Sequence, residues 1–135
     1  MMEKIEHIGI AVKNMFESQL LFEKLLGVAA YKTEEVTSEK VLTTFFKTGS
    51  TKIELLAATH PESAIAKFVE KKGEGIHHIA FEVMDLEVEI ERLKKEGFVF
   101  IDEVPKKGAD NKRIVFLHPK NTNGVLIELC QEINK

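Results

Sequence analysis

The sequence predicts an α+β fold in which two βαβββ modules lie in one chain. Three observations predict it. The stretch "GIHHIAFEVMD" (75–85) has a near-copy, "EHIGIAVKN" (6–14), at the other end of the chain. Both copies lead from a strand pattern into a helix start, with His7 seven residues before Asn14 and His78 seven residues before Asp85. The closing strands repeat as well, as "KIELL" (52–56) and "LIELC" (126–130).

In the first module the opening strand alternates, with Ile8, Ile10 and Val12 on one face and His7, Gly9 and Ala11 on the other. The helix "NMFESQLLFEKLLG" follows, with Asn14 and Glu17 in capping-box spacing and a stop near Gly27. Strands are expected at 29–35, 41–47 and 51–57, punctuated by Gly49. A linking helix is expected at about 61–72.

The second module repeats this order. Ile79, Phe81 and Val83 form one strand face and His78, Ala80 and Glu82 the other. The helix "DLEVEIERLKKEG" carries Leu86, Ile90 and Leu93 at helical spacing and stops near Gly97. Strands are expected at 99–104, 113–118 and 124–131, with turns at Gly108 and "NTNG". Module 1 thus covers about 4–58 and module 2 about 75–132, within a single domain spanning 1–135.

Composition narrows the function. The 135 residues, 44% hydrophobic, suffice for one core. A net charge of −3 and pI near 6.0 give no electrostatic reason to expect a nucleic-acid partner. Cys130 is the one cysteine and has no internal disulfide partner, and the first residues lack a signal-peptide apolar region, so a reducing, cytoplasmic location is expected. The most apolar run, "QLLFEKLLGVAAY", is interrupted by Glu23, Lys24 and Gly27, so no membrane association is expected.

Four polar residues fall on two repeated positions, His7 with His78 and Glu54 with Glu128. Alternation turns each away from its apolar neighbours, so one curved sheet would bring all four to its concave face. Charged or imidazole groups taken out of water need compensation, which a divalent metal supplies in one step. Two imidazoles and two carboxylates suit Co²⁺, Mn²⁺, Zn²⁺ or Ni²⁺, with positions left for a bidentate oxygen ligand. A closed structural zinc site would more often use thiolates. His77 has the wrong parity and reads as structural or solvent-facing. His118 and Lys120, near a turn, read as substrate contacts or plain exposed residues. Lys106, Lys107, Lys112 and Arg113 read as phosphate contacts or solvated charges.

The motifs "HIGIAV", "KIELL", "HHIAFEV" and "GVLIEL", over about residues 5–131, resemble the vicinal oxygen chelate (glyoxalase/bleomycin resistance/dioxygenase) superfamily. Within it, "GEGIHHIAFEV" and "RIVFLHPKNTNGVLIEL" are most similar to the methylmalonyl-CoA epimerases. The resemblance implies a cup-like sheet around a metal held by His7, Glu54, His78 and Glu128, a homodimer, and an acyl-CoA substrate. Some epimerases have Gln where this chain has Glu54. It also implies proton abstraction and return at the α-carbon of methylmalonyl-CoA through a metal-stabilised enolate, with Glu128 as the base. Some members use a second glutamate as the opposite base; Thr43 stands near that position here.

Two alternatives share the fold. Glyoxalase I (lactoylglutathione lyase) uses the same ligand types, whereas the "FLHPK…GVLIEL" tail favours the epimerases. A non-catalytic small-molecule-binding member would lack the metal. An extradiol dioxygenase is disfavoured because a fourth protein ligand closes part of its iron site.

Overall fold

The computed structural model describes residues 1–133. The chain resolves into two compact units, one of His7–His77 and the other of Met1–Glu6 with the residues from His78 onward. The boundary crosses the first strand, β1 (Met2–Ala11).

In the His7–His77 unit, β1 leads into α1 (Met15–Leu26). The Asn14 side chain caps α1 by accepting from the Glu17 N–H, and Gly27 closes it with φ 75°, a left-handed backbone in which glycine carries no Cβ penalty. Next come β2 (Lys32–Val36), β3 (Val41–Thr48), β4 (Thr51–Ala58) and α2 (Ala64–Lys72). The strand order is β2-β3-β4-β1, antiparallel except for the β4–β1 pair. Helix α1 covers one sheet face, where Met15, Phe22 and Leu26 pack on Val12, Phe46 and Leu55. Helix α2 lies on the other face, where its Ile65 packs with Ala11, Val41 and Leu56. It starts later than the sequence suggests because Ser63 caps it by accepting from the Ile65 N–H.

The second unit uses β5 (Gly75–Val83) from His78 onward, α3 (Leu86–Lys95), β6 (Lys106–Lys107), β7 (Lys112–Phe116) and β8 (Ile127–Glu132). Asp85 caps α3 by accepting from the Val88 N–H at 3.1 Å. The order is β5-β8-β7-β6, again with the first and last strands of the module parallel. Leu86, Ile90 and Leu93 of α3 pack on Val83, Val115 and Leu129. Truncating one such fully buried leucine to alanine costs about 2–5 kcal/mol.

The expected strand at 99–104 is corrected. That segment holds a single bridge, Phe100 to Leu117, and regular pairing waits until Lys106. Backbone pairing is limited to Ile101 N–H to Phe116 and His118 N–H to Val99 around that bridge, while Val99 N–H donates to the Asn121 side chain and Val104 N–H to Asp102.

Candidate metal centre

The register shows how each glutamate is set in its sheet. In the His7–His77 unit Glu54 lies between Gly9 of β1 and Phe45 of β3. In the second unit Glu128 lies between Ala80 of β5 and Phe116 of β7. Each carboxylate therefore has a small residue on one side and a phenyl ring on the other. The small neighbour leaves room for the histidine two residues earlier on its strand.

Both histidines occupy that room. His7 Nδ1 is 3.1 Å from Glu54 Oε2, and His78 Nε2 is 3.1 Å from Glu128 Oε1. The four residues are 4, 4, 5 and 4% exposed in the order His7, Glu54, His78, Glu128. His78 also meets the Phe116 ring edge-to-face, with centroids 5.7 Å apart. His77 faces elsewhere, packing edge-to-face on Phe68 of α2 at 4.9 Å.

Each of the four residues offers a buried donor atom that could bind a metal ion. Imidazole nitrogen and carboxylate oxygen together fit a divalent ion of intermediate hardness. Cys130, also on β8, does not join them. Burial and, after it, the Glu128 and Glu6 carboxylates push its thiol far above the usual range, so it stays protonated.

The remaining sequence candidates make other contacts. His118 is exposed, and its Nδ1 accepts from the Lys120 N–H at 3.2 Å, capping a short 3₁₀ turn. Lys120 is exposed on the same turn. Thr43 is buried on the Glu54 face of β3, opposite Leu56, and a hydroxyl there is no base at neutral pH. Arg113 is tied to Glu87 of α3, which draws the Glu87 carboxyl below its ordinary range.

One buried pair was not singled out from the sequence. Glu6 and Lys112 are 3 and 6% exposed, with Nζ 3.7 Å from Oε2. The signal was the parity of Lys112 with Ile114 and Phe116, which becomes informative only once Phe116 is known to pair with Glu128.

Known proteins match this fold. A family model described as the Glyoxalase/Bleomycin resistance protein/Dioxygenase superfamily matches residues 6–116. The chain is 41% identical over 130 residues to the uncharacterized protein YqjC of Bacillus subtilis, spanning 96% of this chain and 93% of that one. It is 40% identical over 127 residues to the mitochondrial methylmalonyl-CoA epimerase of Dictyostelium discoideum, spanning 93% of this chain and 76% of the relative. A solved methylmalonyl-CoA epimerase in complex with methylmalonyl-CoA and NH₄⁺ superposes with a TM-score of 0.93 at 31% identity, covering 98% of this chain and 96% of that one.

Proposed function

The chain belongs to the glyoxalase/bleomycin resistance protein/dioxygenase superfamily, and from that premise we propose that it interconverts the epimers of methylmalonyl-CoA by moving the α-proton. The observation that carries this reading is the pair of buried His–Glu contacts at repeated positions, His7 with Glu54 and His78 with Glu128. The epimerases among its relatives and structural neighbours support the substrate.

Glu128 is the base. Its carboxylate is almost fully buried, so little hydration has to be stripped from it before it meets a carbon-bound proton. The 3.1 Å contact with His78 Nε2 orients one oxygen. Phe116, directly opposite on β7, walls that side with an apolar ring. Glu128 takes the α-proton as the electron pair moves into the thioester carbonyl, and a solvent-derived proton delivered to the opposite face of the now planar carbon completes the epimerisation. His7, Glu54, His78 and Glu128 are the side chains that would hold a divalent cation, which would supply Lewis-acid stabilisation of the charge developing on the thioester oxygen.

The test is NMR of a single epimer of methylmalonyl-CoA in D₂O with purified, metal-supplemented protein. Exchange of the α-proton together with appearance of the second epimer is expected. An α-proton that persists at the rate of the enzyme-free control overturns the reading.

A further inference from the structure

We propose that Phe116 is a specificity-determining residue whose ring walls the α-alkyl group of the acyl chain and holds it to a short length. This rests on the epimerase reading and names the element that measures the substituent at the reacting carbon.

An alkyl substituent is bonded to the carbon that Glu128 deprotonates, so the side chain that bounds it stands within about one strand spacing, roughly 4.8 Å, of that carboxylate. Register gives Glu128 two flanks. Ala80 of β5 lies opposite it on one side and Phe116 of β7 on the other. The β5 flank is polar, because His78 Nε2 reaches Glu128 Oε1 at 3.1 Å. The β7 flank is apolar, because Phe116 packs with Ile114 and Cys130 on the Glu128 face. A malonyl-type α-carbon bears two oxygen-rich groups and one alkyl group. Turning the alkyl group to the imidazole would leave an oxygen group unpaired against the phenyl ring, at a desolvation cost. The oxygen groups therefore turn to His78 and the alkyl group to Phe116. Proton removal flattens the carbon, and in either epimer the alkyl group leaves that plane only slightly, so one wall serves both.

The equivalent ring of the first module differs in one respect. Phe45 stands opposite Glu54 as Phe116 stands opposite Glu128. Yet Phe45 is 0% exposed, with Lys32 Nζ 5.2 Å from its centroid and the Tyr31 ring 5.9 Å away. Phe116 is half-buried. The first phenyl is covered by its own chain, and the second keeps ring surface for a ligand. The residues that Phe116 packs on, Ala80, Ile114 and Cys130, are all buried, so the ring has little room to retreat before a longer chain.

Calorimetric titration of the metal-supplemented protein with malonyl-CoA, methylmalonyl-CoA and propylmalonyl-CoA tests the assignment, because the three differ only in the α-alkyl group. The parent is expected to bind methylmalonyl-CoA about fourfold more tightly than malonyl-CoA, the worth of one buried methyl group. It is expected to bind propylmalonyl-CoA at least about tenfold more weakly than methylmalonyl-CoA, as a filled pocket discriminates against added methylenes. In Phe116→Ala the methyl gain disappears and the propyl penalty falls by at least about tenfold. Phe116→Leu shifts both ratios the same way by less, and decides the matter if Phe116→Ala does not fold. Phe45→Leu is expected to leave both ratios at the parental values. Unchanged ratios in the Phe116 variants, or an equal shift in Phe45→Leu, overturn the assignment. A parent that fails to exchange the methylmalonyl-CoA α-proton overturns the epimerase reading while the affinity ratios still judge Phe116. A parent that exchanges it, but whose ratios ignore Phe116, overturns this inference alone. Failure to bind any of the three esters overturns both.

Discussion

Phe116 meets His78 edge-on, with ring centroids 5.7 Å apart and planes at 88°, and the same phenyl stands opposite Glu128 across β7 and β8. One aromatic ring therefore constrains both members of the second His–Glu pair. Edge-to-face pairs contribute about 0.5–1.5 kcal/mol beyond area burial, so Phe116→Leu is expected to lower turnover about three- to tenfold while the fold survives. Steady-state rates measured beside a thermal melt check this; an unchanged rate would make the ring mere filling.

His7 and His78 each lie against a glutamate, and His77 packs on the Phe68 ring. His7→Ala and His78→Ala are expected to lower bound metal at least tenfold, as removal of a donor should, while His77→Ala, whose ring packs on Phe68, is expected to keep it near the parental level. Elemental analysis after dialysis against a limiting metal concentration separates them. Equal loss in all three would break the strand-parity argument.

Glu54 and Glu128 occupy equivalent positions but are assigned different work. Glu54→Gln keeps an oxygen donor beside His7 and is expected to retain the fold and part of the metal. Glu128→Gln keeps its oxygen donor as well but cannot accept a proton, and general-base catalysis typically contributes about 10²–10⁴-fold. Deuterium entry at the α-carbon, read together with metal content, distinguishes the two variants. A Glu128→Gln protein exchanging at the parental rate would move the base elsewhere.

The Cys130 thiol is wholly buried and held in its neutral form. Because the thiolate is the reactive species, native protein at pH 8 is expected to resist thiol-specific reagents, with modification appearing only on unfolding. The sign follows from the raised folded-state value. Any contribution of this thiol to stability is complete below the unfolded-state value and falls as pH climbs above it. A native protein labelled as fast as free cysteine would contradict the burial.

Much of this was legible because the chain says things twice. Asn14 with Gly27, and Asp85 before the second helix, bracket helices whose caps the structure reproduces. The alternation around His78 separated it from His77, and the structure gives the two different neighbours. What was not legible depended on pairings between distant strands. The residues at 99–104 look strand-like by composition, yet their backbone pairing stops after the single bridge at Phe100, and the N–H groups of Val99 and Val104 go to the Asn121 and Asp102 side chains. Phe45 and Phe116 read as ordinary core residues until the register sets them opposite glutamates. Lys112 reads as one more solvated charge near a turn until its burial is known.

The first strand has a consequence for the order of events during synthesis. Its residues Met2–Glu6 leave the ribosome well before those from His78 onward, yet they are grouped with them, and Met2 packs on the cluster built from α3, β7 and β8. From His7 onward its residues pair with β4 of the nascent first half. The growing chain must therefore carry an unfinished leading edge past the completion of β4 and α2, and the buried Glu6 waits for Lys112 to emerge. Long-range closure of this kind slows folding. It also leaves a shortened chain ending before His78 with a strand end whose later neighbours never arrive, which favours association with other unfinished copies.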